Sequence, residues 1–241
     1  WQQALSLLAE MQTAHLAANV ITYSAAMSAC EKGGHWQQAL DLFAEMRTVA
    51  LKLDVVTYSA AISACEKDSE WMQALELLGS MVAERIKMNT ITCNAAISAC
   101  EKGGEWVKAL VLFRALVQCR IEMDTITCNA AVSTCGKGGE WVKALELLEV
   151  MVHDVIEMDT VTYCSAINAC ERGGQWAKAL DLFKAMIERM VALDTITCNA
   201  AISACEQGSD WLTSFELLSA MSDDGIQMDT ITYSAAISAC E

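Results

Sequence analysis

Histidines, cysteines and carboxylates are the side chains that would carry chemistry here. The three histidines, His15, His35 and His153, follow no common spacing. General acid–base catalysis needs a base held within hydrogen-bond reach of a partner, and nothing in this spacing provides one. Of the twelve cysteines, Cys30, Cys65, Cys100, Cys135, Cys170, Cys205 and Cys240 recur at a fixed interval, and Cys93, Cys128 and Cys198 share a second phase. No Cys-x-x-Cys pair or Cys/His cluster has zinc spacing. Each cysteine of these two columns sits in an apolar helical pattern, as a small buried residue at a close helix contact would. Free buried thiols point to a reducing compartment. There is no phosphate-cradling glycine loop, Gly-x-Ser-x-Gly or metal motif. Without a catalytic constellation, the chain reads as a non-enzyme that needs no cofactor or metal.

The elements that position these residues are set by one period. Trp1, Trp36, Trp71, Trp106, Trp141, Trp176 and Trp211 stand 35 residues apart, and the register never breaks. A period of this size marks a stacked repeat array, not a single-core enzyme fold. The 241 residues are 54% hydrophobic, 20% charged and free of proline, with abundant Ala and Leu, which favours helix throughout. No apolar run approaches the ~18 residues of a membrane span, so no membrane insertion is expected. The net charge of −15, taken alone, argues against nucleic acid as a partner.

Within one unit, Tyr23, Ala26, Met27 and Cys30 fall at i, i+3, i+4 and i+7, one face of a helix A. Gly33 and Gly34 end it. Trp36, Ala39, Leu40, Phe43 and Met46 repeat the helical spacing in a helix B. A short loop then runs to Asp54, where the N-cap of the next helix is expected. Neither helix buries its stripe alone; stacking buries it continuously. The expected architecture is therefore all-α, an α/α superhelical solenoid forming one array over 1–241. Its full repeats are 20–54, 55–89, 90–124, 125–159, 160–194 and 195–229, with a helix B alone in 1–19 and a helix A alone in 230–241. Starting and stopping mid-repeat reads as a segment of a longer protein.

The stretch Val55 to Lys67 (Val-Val-Thr-Tyr-Ser-Ala-Ala-Ile-Ser-Ala-Cys-Glu-Lys), the Trp-x-x-Ala-Leu-x-Leu-(Leu/Phe)-x-x-Met of helix B and the closing Ile-x-Met-Asp resemble a pentatricopeptide repeat. The resemblance covers the whole chain and, with uniform 35-residue units, is to the pure-repeat (P) class. Tetratricopeptide repeats, at 34 residues with a different Trp-Leu-Gly-Tyr pattern, fit less well. Two departures stand out. Leu53, Met88, Met123, Met158, Leu193 and Met228 occupy the family's proline position, and its loop glycine survives only as Gly225. An altered inter-repeat loop is the expectation.

The resemblance implies single-stranded RNA as the partner, read one base per repeat. The fifth and last residues of each unit would face the base: Ser24 with Asp54, Ser59 with Asn89, Asn94 with Asp124, Asn129 with Asp159, Cys164 with Asp194, and Asn199 with Asp229. The family's code then implies 5′-GAUUNU-3′, with no assignment for the Cys164 repeat. An N-cap aspartate and a tolerated Ser or Asn is the competing structural reading. Against it, the fifth position varies while its neighbours are nearly fixed. The second position (Ile21, Val56, Ile91, Ile126, Val161, Ile196, Ile231) would pack on base faces by the resemblance, or is an ordinary core residue. The thirteenth (Lys32, Lys67, Lys102, Lys137, Arg172, then Gln207) would approach phosphate, or is a cation favoured at a helix C-terminus in its own right.

The resemblance therefore implies RNA processing, stability or translation in a mitochondrion or plastid. The alternative is a protein-binding scaffold, a subunit of an organellar ribosome or other large complex, with other proteins of an organellar ribonucleoprotein or large complex as partners. It draws on the acidic charge and on Glu31, Glu66, Glu101 and Glu171, which stand directly beside the cations.

Overall fold

The computed structural model describes residues 1–119 and 121–240. Residues 120 and 241, in the third full repeat and the last partial one, lie outside the described residues. Fourteen α-helices and no strand occur among the described residues. The chain divides into two compact units, residues 1–122 and 123–241. The first contains α1 (Gln2–Thr13), α2 (Val20–Gly33), α3 (Trp36–Thr48), α4 (Val55–Lys67), α5 (Trp71–Ala83), α6 (Thr90–Lys102) and α7 (Trp106–Gln118). The second contains α8 (Thr125–Gly138), α9 (Trp141–His153), α10 (Thr160–Arg172), α11 (Trp176–Glu188), α12 (Thr195–Gly208), α13 (Trp211–Asp223) and α14 (Thr230–Ser238). Even-numbered helices are the A helices and odd-numbered ones the B helices.

Each A helix starts on an Asp or Asn whose side chain accepts the N–H of a Thr three residues on, as Asp54 does from Thr57 and Asn89 from Thr92, both at 2.9 Å. In five of them the same threonine hydroxyl closes a capping box back to the cap residue's own N–H. Such a cap is worth about 1 kcal/mol. In each unit successive A helices pack against one another and each B helix packs on A helices, while among the described residues no B helix packs on another B helix. The A helices thus form the tight layer of each unit.

The core is the seam between the layers. Met27, Cys30, Met46, Tyr58, Ile62, Cys65 and Met81 are fully buried in the first unit, and Met151, Ile167, Cys170, Met186, Ile202 and Cys205 in the second. Phe43 meets Tyr58 edge-on with ring centroids 4.9 Å apart. The cysteine column is core from Cys30 to Cys205, whereas Cys240, just past the last A helix and with no described helix B packed after it, is exposed against expectation. Burial pushes the Cys65, Cys135 and Cys205 thiols up to about 12. They stay protonated and unreactive.

The two turn glycines do different work. Gly34, Gly104, Gly139 and Gly174 take left-handed φ between 67° and 75°, which glycine adopts without a Cβ penalty. The glycine before each turn makes room instead: a Cβ on Gly103 would lie 2.3 Å from Cδ1 of Trp71, and one on Gly173 2.3 Å from Cδ1 of Trp141. The periodic tryptophan therefore rests on the helix A end of the following repeat. Lys108 and Lys178 lie over the rings of Trp71 and Trp141, at 4.5 and 3.9 Å from the ring centroids.

The inter-repeat loop departs from expectation. Despite losing the family's glycine and proline, the B helices leave by one geometry. His15, Ala50, Arg85, Val155 and Met190 hold φ of 54–57° where Gly225 holds 67°. The next residue's N–H returns to the carbonyl five back, as in Leu51 to Met46 at 3.0 Å and Ile156 to Met151 at 2.8 Å. That closure satisfies the last carbonyls of the helix. Its hydrogen bonds, with the branched residue that follows, hold the turn even where the residue type opposes it.

Candidate functional site

The A helices bring three of the sequence columns together near their N-termini and carry the fourth at their C-termini. The fifth-position residues Ser24, Ser59, Asn94, Asn129, Cys164 and Asn199 are all half-buried. The last-position residues Asp54, Asn89, Asp124, Asp159, Asp194 and Asp229 cap the next A helix. The capping role weighed from sequence is therefore realised, and it leaves the second carboxylate oxygen of each aspartate for other partners.

At Asp159 that oxygen is used. Asn129 Nδ2 donates to Asp159 Oδ1 at 3.0 Å and Oδ2 at 3.1 Å, while Asn129 Oδ1 accepts from the Thr162 hydroxyl. Asn199 makes a one-armed version, donating to the capping oxygen Oδ1 of Asp229 at 3.2 Å and accepting from the Thr232 hydroxyl at 2.6 Å. An amide offers two N–H donors and two lone pairs. After this clamp, Asn129 keeps one N–H and one lone pair to present outward. Burial raises the Asp159 carboxyl, but hydrogen bonds from the Thr162 N–H and the Asn129 amide outweigh it and hold the group below its ordinary value. The Thr232 N–H leads the same lowering at Asp229, against burial and with help from Asn199.

Serine is too short for that clamp. Ser59 Oγ donates back to Val55 O in its own helix at 2.7 Å, leaving its lone pairs as acceptors. Ser24 Oγ lies 3.3 Å from Thr57 Oγ1, whose single proton goes to Asp54 at 2.8 Å, so Ser24 is the donor. Cys164 Sγ accepts from Asn168 Nδ2 at 3.5 Å; burial pushes its thiol up. Asp194 caps α12 through Thr197 at 2.8 Å.

The second-position column is not core. Ile21, Val56, Ile91, Ile126, Val161, Ile196 and Ile231 are 54–77% exposed. Each stands at the start of an A helix, three residues before the fifth position. That removes the core alternative and leaves, in each unit, a ladder of exposed branched side chains beside the polar ladder.

The thirteenth-position cations lie at the other end of the A helices. Lys67 Nζ sits 3.6 Å from Glu31 Oε1, and Lys102 Nζ 3.0 Å from Glu66 Oε1. Arg172 Nη1 donates to Lys137 O at 3.2 Å, and Lys32 is exposed. These pairings between repeats were not foreseen from sequence. The signal was present, since a glutamate precedes most of these cations and the A helices stack in register. His15, His35 and His153 fall on a loop, the start of α3 and the end of α9, and His153 Nδ1 lies 2.7 Å from Asp154 Oδ1.

Family models match along the chain: the PPR repeat family model over residues 18–67, and the PPR repeat model over 56–86, 91–121, 126–154 and 161–191. No curated protein matches it in sequence. The chain resembles the crystal structure of the pentatricopeptide repeat protein PPR10 from maize, with 24% identity and a TM-score of 0.67 over 98% of this chain and 34% of that one. It also resembles PPR10 in complex with an 18-nt psaJ RNA element, at 23% identity and TM-score 0.57 over 92% of this chain and 36% of that one. A third likeness is to nuclear protein-only RNase P 2 of Arabidopsis thaliana, at 14% identity and TM-score 0.68 over 77% of this chain and 42% of that one. At these identities the likeness is one of fold, and the chain spans about a third of the maize protein's length. With repeat models covering most of its length, the chain belongs to the pentatricopeptide repeat family.

Proposed function

We propose that this chain binds single-stranded RNA, one base per repeat, by binding alone and without chemistry. The observation that carries the reading is the pair of adjacent ladders on the A helices. A column of exposed Ile and Val side chains stands beside a column of half-buried polar side chains with unspent hydrogen-bonding capacity. An exposed apolar column at one-repeat spacing suits the flat faces of successive bases, and the polar column suits their edges. Crystallised PPR10 holds an RNA element, which supports the same reading here.

The residual chemistry at three of the six positions, Ser59, Asn129 and Asn199, fits the implied target 5′-GAUUNU-3′. Asn129 and Asn199, each left with one N–H and one lone pair, complement the N3–H and O4 of uracil. Ser59, left as an acceptor, complements the amino group of adenine. The work would be RNA processing, stability or translation in a mitochondrion or plastid. A gel-shift titration tests this: an oligonucleotide containing GAUUNU binds more tightly than its scrambled counterpart, and equal binding of the two overturns the readout.

A protein-scaffold role is the second reading. Its support is the net charge of −15 and the glutamates that pair with Lys67 and Lys102. Both features lower the attraction for phosphate.

A further inference from the structure

The cations of the A helices are not equivalent. In the first unit the ion pairs form a ladder in which the thirteenth-position cation of one repeat meets the twelfth-position glutamate of the repeat before, as Lys102 meets Glu66. The second unit interrupts it. Gly136 occupies the twelfth position of its repeat, and packing accounts for the glycine: a Cβ there would lie 2.8 Å from the Ser165 carbonyl, where α8 meets α10. Arg172, one repeat later, therefore has no carboxylate at that place. Its guanidinium gives one N–H to the neutral Lys137 carbonyl at 3.2 Å, keeping its full charge and the rest of its donor fork. Glu171, adjacent in sequence, is instead engaged by the Ser203 hydroxyl at 2.9 Å.

The same repeat carries the weakest reading side chain. Cys164 presents a thiol, a poor donor and a poor acceptor, already in contact with Asn168. An uncompensated cation and a side chain unable to discriminate bases thus coincide in residues 160–194.

We propose that this repeat is an anchor: Arg172 grips an RNA phosphate while Cys164 leaves the facing base unread. Glu31 and Glu66 act in the opposite sense, competing with phosphate for Lys67 and Lys102. The inference rests on the RNA-binding reading above and adds an unequal division of labour among repeats.

The test is fluorescence anisotropy with the 241-residue chain and GAUUNU oligonucleotides, N being each base in turn, across a series of salt concentrations. Arg172→Gln is expected to weaken binding about five-fold at low salt and to flatten the log K against log [salt] slope by about 0.7. Arg172→Lys keeps the slope. Lys102→Gln changes the slope by less than half as much, Glu66→Gln tightens binding, and the four bases at N bind within about two-fold of one another. Circular dichroism melts show that each variant is folded. Equal slope changes for Arg172→Gln and Lys102→Gln, or a preference at N above about ten-fold, overturn the anchor while leaving RNA binding intact. A wild-type chain that binds neither GAUUNU nor a scrambled RNA overturns the reading on which it rests.

Discussion

The two compact units share a helix plan, a turn and a loop exit, yet wire their polar side chains differently. In the first unit, links between repeats include exposed ion pairs at the C-terminal ends of the A helices, Glu31 with Lys67 and Glu66 with Lys102. Its fifth-position serines are short: Ser59 bonds to its own helix, and Ser24 reaches only the Thr57 hydroxyl. In the second unit Asn129 and Asn199 reach forward to the cap aspartate of the next repeat. The added length of an asparagine therefore decides whether the fifth position bonds the cap carboxylate directly, whereas Ser24 reaches it through the Thr57 hydroxyl and Ser59 turns back to its own helix. Part-buried hydrogen bonds to a carboxylate are worth more than exposed ion pairs, so the units should respond differently to equivalent substitutions.

The largest difference is expected at the cap. Asp54→Ala removes the bonds to Thr57 alone and should cost about 1 kcal/mol. Asp159→Ala removes the cap and also strands the Asn129 amide, and should cost about 2–3 kcal/mol. Urea denaturation of the two variants measures the gap, and equal costs would break the comparison. The second cost should also depend on pH. The Asp159 carboxyl is held below its ordinary 3.8 in the folded chain. Its stabilisation is complete above the unfolded value and is lost as pH falls through the lower folded value. The penalty of Asp159→Ala should shrink over that acidic window.

Much of this plan was legible in the sequence. The tryptophan period, the i, i+3, i+4, i+7 stripe through Tyr23 and Cys30, and the cap at Asp54 each follow from a local rule, and local rules survive stacking. What was not legible depends on which side of a helix faces the next repeat. Ile21 and its equivalents satisfy an apolar pattern equally well buried or exposed, and only the packed A layer turns them outward. Gly33 looked like half of a turn, but its absent side chain is room for Trp1 from the repeat before. The loop was misjudged for a related reason. A left-handed position normally selects glycine, whereas here the closing hydrogen bonds of helix B impose it on Ala50 and Val155.

That imposed conformation gives an intermediate test, again set between the units. Val155 is β-branched, 91% exposed and at φ 56°, a region that costs an L-residue about 1–2 kcal/mol. Val155→Gly should gain about 0.5–1 kcal/mol after the greater chain entropy of glycine is subtracted. Ala50, at φ 54°, lacks the branch, and Ala50→Gly should be nearly neutral. Thermal melts of the pair read the difference, and a loss of stability in Val155→Gly would show that its side chain contributes packing that outweighs the strain.

The smallest effect on stability is expected where the proposed effect on function is concentrated. Glu66 and Lys102 have side chains 27% and 42% exposed, so their ion pair is screened and should contribute under about 0.5 kcal/mol. Glu66→Gln should therefore leave the denaturation midpoint almost unmoved, and raising the salt should erase what remains. The contrast with Asp159 is then one of purpose as well as magnitude. On the RNA-binding proposal, the asparagine–aspartate network of the second unit ties fold to site, so altering it should cost both, whereas the glutamate–lysine ladder of the first unit would tune the charge open to a ligand with little effect on folding. A cost above about 1 kcal/mol for Glu66→Gln, beyond what exposed pairs supply, would make the ladder a structural element and remove that distinction.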